Sequence, residues 1–239
     1  MQKKCLKIDV HVHSKGISGC SHVTCEDIIE EKIKLGYDGV VLTNHCQSWY
    51  YPQEKHTEFM EKMIAEYLHG KSYADKKGFR FYLGIEVSLN EPHYADWLLY
   101  GVTEEFLRQS PCLYALSQKE LFDYCNQWGV VMVQAHPYRQ SPCDPKYMHG
   151  VEINCSNDDL NKKTLVENFA KEHDLLVFCG TDYHFVERVF HGGVYVPEEC
   201  ETAADLAKWL RTEGEVKVFF GEQEETYKSN VFRSVKDED

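Results

Sequence analysis

Short apolar runs alternate with stretches of helical periodicity along this chain. That rhythm restricts it to an α/β fold on a parallel sheet, either open and doubly wound or closed into a barrel. Strands are expected at Leu6–His13, Gly39–Thr43, Arg80–Val87, Trp97–Val102, Val130–Val133, Gly150–Asn154, Leu175–Cys179 and Val216–Phe220. Between them, Thr24 is placed to cap a helix ending at Gly36, and a long helical region spans about 53–77. The capping box Ser117-Gln118-Lys119-Glu120 starts a helix that Gly129 stops. Further helices are expected over about 160–173 and from Thr202 to Gly214. The polar, acidic tail from Glu222 is expected to fray. No linker rich in Pro, Gly or Ser and no internal repeat interrupts the pattern, so the expectation is one domain over residues 1–239.

Residues with metal-binding side chains gather where these strands end. His11 and His13 close the first strand, two residues apart and so on one face. His45 follows the second strand, Glu86 closes the third, and His136 ends the strand after the capping box. Asp182 and His184 end a late strand. In a β/α barrel all C-terminal strand ends meet on one face, so these seven side chains converge there. Imidazoles with carboxylates suit zinc, manganese or iron. Seven such groups exceed one tetrahedral ion, which implies at least two, with Glu86 as the bridging carboxylate. Asp9, two residues before His11, could itself ligate but is expected instead to orient an imidazole.

Composition bounds the partners. The chain has 239 residues, 43% hydrophobic and 27% charged, as in an ordinary soluble protein. A formal charge of −13 disfavours a phosphate-tracking nucleic-acid surface, while bound cations would still admit a small anionic substrate. No apolar run is long enough to cross a bilayer and the N-terminus does not resemble a signal peptide, so a cytoplasmic location is expected. The ten scattered cysteines then read as small buried hydrophobes; Cys155 and Cys179, at strand ends, are assigned to packing. His56, His69, His149, His173 and His191 are assigned to surface or packing roles.

The motifs Asp9-Val10-His11-Val12-His13, Thr43-Asn44-His45, Gly84-Ile85-Glu86, Ala135-His136-Pro137 and Gly180-Thr181-Asp182-Tyr183-His184 resemble, in this order, those of the PHP (polymerase and histidinol phosphatase) family. The resemblance spans roughly residues 6 to 190. It implies a distorted (β/α)7 barrel with a trinuclear centre. One metal would sit on His11, His13, Glu86 and Asp182, a second on Glu86 and His136, and a third on His45 and His184. The family pattern adds an Asp or His shortly after the His-x-His pair; here the loop is longer and His22 is the nearest candidate. It also places a His before the strand that follows Glu86; here Asp96 is the candidate, with His93 upstream. The usual Thr-Asp-His reads Thr-Asn-His.

Two or three divalent ions (zinc, manganese or iron) would serve hydrolysis of a small phosphomonoester through a metal-bound hydroxide. Arg139, behind His136-Pro137-Tyr138, is the candidate for phosphate binding, ahead of Lys15 and Arg188; its alternative is a loop salt bridge. Alternative readings are a metal-dependent amidohydrolase, a PHP-type exonuclease disfavoured by the net acidity, and a non-catalytic metal-binding module. The alternatives of amidohydrolase and phosphoesterase divide on residue type: amidohydrolases often bridge their metals with a strand-borne Lys, whereas Glu86 and Asp182-x-His184 stand here.

Overall fold

The computed structural model describes residues 4–90, 95–139 and 142–232. They form a mixed α/β structure around one strongly curved sheet. In chain order the strands are β1 (Cys5–Val12), β2 (Gly39–Leu42), β3 (His45–Cys46), β4 (Arg80–Ser88), β5 (Asp96–Tyr100), β6 (Val131–Gln134), β7 (Gly150–Asn154), β8 (Leu176–Gly180), β9 (Gly192–Pro197), β10 (Glu215–Phe220) and β11 (Gln223–Lys228). The helices are α1 (Cys25–Lys34), α2 (His56–Asp75), α3 (Glu104–Gln109), α4 (Gln118–Gln127), α5 (Lys163–Glu172) and α6 (Ala203–Glu213). The sheet runs β11-β10-β9-β1-β2-β4-β5-β6-β7-β8, with β3 paired to β4.

The seven strands β1, β2 and β4 to β8 make the expected distorted barrel. It nearly closes where the exits of β1 and β8 meet: Val12 bridges Tyr183, and His13 N–H donates to the Tyr183 carbonyl at 3.0 Å. The distortion lies in β5, which is antiparallel to both β4 and β6 and so departs from the all-parallel expectation. The connection 89–95 is too short for the crossover that a parallel β4–β5 pair would need. Strands β9, β10 and β11 extend the sheet beyond β1 as an antiparallel flap. Part of the tail expected to fray is therefore ordered: Gln223–Lys228 pairs with β10 as an edge strand.

Alternation along the strands separates two apolar layers. Leu83, Ile85, Val87, Trp97, Leu99 and Met132 face outward onto α2, α3 and α4. Glu86 pairs with Leu98, and Leu98 with Val133, so these share the opposite face with Leu176, Phe178 and Val10. The inner face is thus apolar in the strand bodies and polar at the strand ends. Helix ends follow the sequence signals. Thr24, Ser117 and Thr202 each form a capping box, and Gly214 closes α6 at φ 61°.

His149 illustrates a packing histidine. It is buried, its Nδ1 accepts from Met132 N–H at 3.0 Å, and its Nε2 donates to Asn126 Oδ1 at 3.1 Å. Burial first, and Arg211 second, lower its pKa to about 3. The unfolded chain takes up this proton near pH 6.5 and the folded chain does not until about pH 3. Stability contributed by neutral His149 is therefore complete above pH 6.5 and falls between these values by about 1.4 kcal/mol per pH unit. His149→Gln should flatten this part of the urea-denaturation pH profile relative to wild type.

Candidate metal centre

The seven strand-end residues meet at one mouth of the barrel. His11 and His13 stand side by side, with ring centroids 4.9 Å apart. The His13 ring stacks between His45 and His184, at 4.3 Å from each. Glu86 is fully buried at the middle: its Oε2 lies 3.3 Å from both His11 Nε2 and His13 Nε2 and 2.9 Å from His45 Nδ1. Its Oε1 lies 3.2 Å from His136 Nε2. Asp182 Oδ1 lies 3.5 Å from His11 Nε2 and 3.4 Å from His13 Nε2. Asp96 joins the group, with Oδ2 3.8 Å from His136 Nε2.

The donor atoms fit a cation. His11/His13/Glu86, Glu86/Asp96/His136, His11/His136/Asp182 and His13/His45/His184 each bring ligand atoms within 4.8 Å of one another. His11 Nε2, His13 Nε2, His45 Nδ1 and Glu86 Oε2 are buried and have no hydrogen-bond partner. Orphaned buried polar atoms are costly, and four facing one point have the chemistry of a ligand set. Burial alone would raise the Glu86 and Asp182 carboxyls. For Glu86 the charges of His45 and His11 outweigh it; for Asp182 those of His11 and His136 do so, together with the bond to His13. Both carboxyls end well below the usual range.

The backbone is bent to deliver these groups. His136 and Asp182 are non-glycine residues at positive φ, 28° and 53°. Such strain persists where surrounding bonds enforce it, and the enforcing residue at His136 is Glu152. Its Oε2 accepts from His136 N–H at 3.0 Å, while its Oε1 accepts from His11 Nδ1 at 2.8 Å. A carboxylate only accepts, so His11 Nδ1 carries the proton and Nε2 turns its lone pair to the centre. Sequence reasoning missed Glu152, which lies mid-strand in β7; alternation inward beside Gly150 was the available signal. Glu152→Gln should weaken metal affinity by about 10–100-fold, read by competition with a chromophoric chelator, with an unchanged circular dichroism spectrum.

Asp9 does not take the imidazole-orienting role expected of it. The β1–β2 register shifts between Asp9 and Val12, so Asp9 and His11 meet different neighbours. Asp9 Oδ2 lies 2.5 Å from Lys32 Nζ, and Asp9 also accepts from the N–H and hydroxyl of Thr181. His22 departs from expectation too. It is exposed, its ring packs on Phe185 at 4.6 Å, and it belongs to none of the clusters above. His93 lies outside the described residues.

Cys20, two residues earlier, belongs to none of these clusters either but reaches the rim of the site. Its Sγ lies 3.2 Å from His184 Nε2 and 3.4 Å from Tyr50 Oη. Burial favours the neutral thiol, but bonds to His184 and His45 outweigh it and bring the pKa down to about 5. The other cysteines near the mouth behave as expected: Cys155 and Cys179 are buried, packed against Gly192.

Arg139 stands at the mouth and makes the salt bridges that were the alternative to phosphate binding. It donates to Asp159, to Ser156 Oγ at 3.0 Å and to Asp182 Oδ2 at 2.8 Å. Arg188 stacks on Phe185 at 4.9 Å. The two arginines, with Cys20, Ser156, Asp182 and His184, line a cavity of about 300 Å³. Lys15 is exposed, and its backbone N–H pairs with the Val23 carbonyl. His56, assigned to packing, bonds Tyr51 and Ser110; His69 pairs with Glu26 at the surface.

Fold and cluster together define a class: a distorted seven-stranded α/β barrel with histidines and carboxylates gathered at one mouth. No family model matches the chain, and no curated protein sequence matches it. Solved structures do. A two-domain protein from Bacteroides vulgatus containing a predicted PHP-like metal-dependent phosphoesterase matches 93% of this chain at 17% identity with a TM-score of 0.61. The chain spans 66% of that protein's length. PsfC from Pseudomonas syringae matches over 99% of this chain and 96% of its own, at 16% identity and a TM-score of 0.66. An amidohydrolase from Chromobacterium violaceum, solved with bound sulfate and no metal, matches over 85% and 96%, at 16% identity and a TM-score of 0.56. At these identities the likeness is one of fold, and the fold is PHP-like. Among the described residues no helix is long and apolar enough to cross a membrane.

Proposed function

We propose that the chain is a PHP-type, metal-dependent hydrolase of a small phosphomonoester. The observation that carries the reading is the set of four unpartnered buried donor atoms facing one point beside a cavity edged by two arginines. His11, His13, Glu86 and Asp182 would hold one cation, and Glu86, His136 and Asp96 a second. His45 and His184 would contribute to a third. Zinc, manganese and iron are all compatible with these donors. Divalent cations bound there would lower the pKa of water toward neutrality and draw charge from the phosphoryl oxygens.

The chain's own residues supply the rest. Glu152 fixes the tautomer of His11 and the backbone of His136. Arg139, paired with Asp159 and Asp182, and Arg188, stacked on Phe185, edge the cavity where a phosphoryl group would enter. A cavity of about 300 Å³ is at the lower end of small-molecule sites, which supports a compact monoester over a polymer.

The test is a substrate panel with stripped protein reloaded separately with zinc, manganese and iron. Phosphomonoesters should be hydrolysed with at least one of the metals. Cleavage confined to amides or lactones would move the chain to the amidohydrolases, and cleavage confined to oligonucleotides would make it a nuclease.

A further inference from the structure

The loop after His13 is built to hold Cys20 against the metal cluster. Ser14, Ser18 and Ser21 are buried and tie it down. Asn44 Oδ1 accepts from Ser14 N–H at 2.8 Å and from Ser18 Oγ at 2.9 Å, while Asn44 Nδ2 donates to Ser14 Oγ at 2.9 Å. Ser18 Oγ also accepts from His45 N–H at 3.0 Å, Ser21 Oγ donates to the His13 carbonyl at 2.7 Å, and His22 N–H donates to the His184 carbonyl at 2.9 Å. The loop is thereby fastened to three ligand-bearing strand ends at once, with Cys20 at its inner rim.

Two further observations concern donor atoms. His184 Nδ1 lies 2.8 Å from the Asp182 carbonyl oxygen, which can only accept. Nδ1 therefore carries a proton, and Nε2, 3.2 Å from Cys20 Sγ, is the nitrogen left for a cation. His45, whose Nδ1 is buried without a hydrogen-bond partner, belongs to the same group of possible ligand atoms as His184. Ordinary zinc bond lengths to nitrogen and sulfur place two tetrahedral ligands about 3.5 Å apart. The separation of His184 and Cys20 is within a few tenths of an ångström of that.

We propose that Cys20 is a thiolate ligand of the third cation position, together with His45 and His184, and that this position selects zinc, cobalt(II) or iron(II) over manganese and magnesium. The proposal rests on the cluster being a metal centre. The sulfur supplies the selectivity, since thiolates favour thiophilic cations whereas an oxygen donor in its place would suit manganese. The Tyr50 hydroxyl donates to Sγ and would do the same to a metal-bound sulfur.

The full chain, stripped with a chelator and titrated with cobalt(II), tests this by its near-ultraviolet spectrum. A thiolate-to-cobalt charge-transfer band should grow with bound metal and be lost in Cys20→Ser, while the cobalt bound at the other positions remains. A second measurement uses wild type alone: iodoacetamide should label Cys20 in the stripped protein and be excluded severalfold after cobalt loading, with exposed Cys5 as the internal reference. Cobalt bound without the band, a band that survives Cys20→Ser, or labelling unaffected by metal would overturn the thiolate ligand and leave the metal centre standing. Failure of the wild-type chain to bind cobalt at all would overturn both.

Discussion

Glu86→Gln is expected to lower hydrolytic turnover by on the order of 10³-fold and to remove at least one equivalent of bound metal. The substitution keeps the volume and deletes the charge. Glu86 is fully buried and approaches His11, His13, His45 and His136 within 3.3 Å. An amide in its place presents an N–H₂ group toward His11 Nε2, whose lone pair faces it, and would not supply the bridging carboxylate of the proposed centre. Turnover on a generic phosphomonoester, with metal content measured on the same sample, checks both halves. A variant that keeps full metal and full turnover would show that the centre is not organised around Glu86.

Lys32→Met is expected to destabilise the fold by about 3–5 kcal/mol. Lys32 is fully buried in α1, with Nζ 2.5 Å from Asp9 Oδ2, 3.1 Å from Thr181 Oγ1 and 4.5 Å from the Tyr183 ring centroid. Removing the ammonium leaves Asp9 as an uncompensated buried carboxylate at the seam where β1 meets β8. The same seam sets the backbone of Thr181 and so the approach of Asp182. Urea denaturation measures the loss, and Asp9→Asn added to Lys32→Met should recover part of it, because the stranded charge then disappears. Equal losses in the single and double variants would mean that packing, not the ion pair, carries the effect.

What could be read from the sequence and what could not divide on physical lines. His11, His13, His45, Glu86, His136, Asp182 and His184 were legible because parallel strands in a barrel deliver their ends to one face, so position along each strand sufficed. The gathering of these seven residues follows from that rule. Glu152 was not legible: it binds the ligands rather than the centre, and a lone acid within a strand carries no spacing signal. Asp9 was misread because strict alternation fails at the register shift in β1. The orientation of β5 escaped a reading based on apolar runs, although the short 89–95 connection already opposed a parallel pair. Edge strand β11, Gln-Glu-Glu-Thr-Tyr-Lys, has the charged composition of a tail because an edge facing water needs it. At the loop after His13 the backbone turns Cys20, and not the exposed His22, toward His184.

The most direct measurement is metal analysis of the purified chain before and after chelation, paired with phosphomonoester turnover. Two or three equivalents of transition metal per chain are expected, with loss of turnover when they are removed and its return when they are restored. A chain that binds no transition metal, or that hydrolyses phosphomonoesters equally well once stripped, would contradict this expectation.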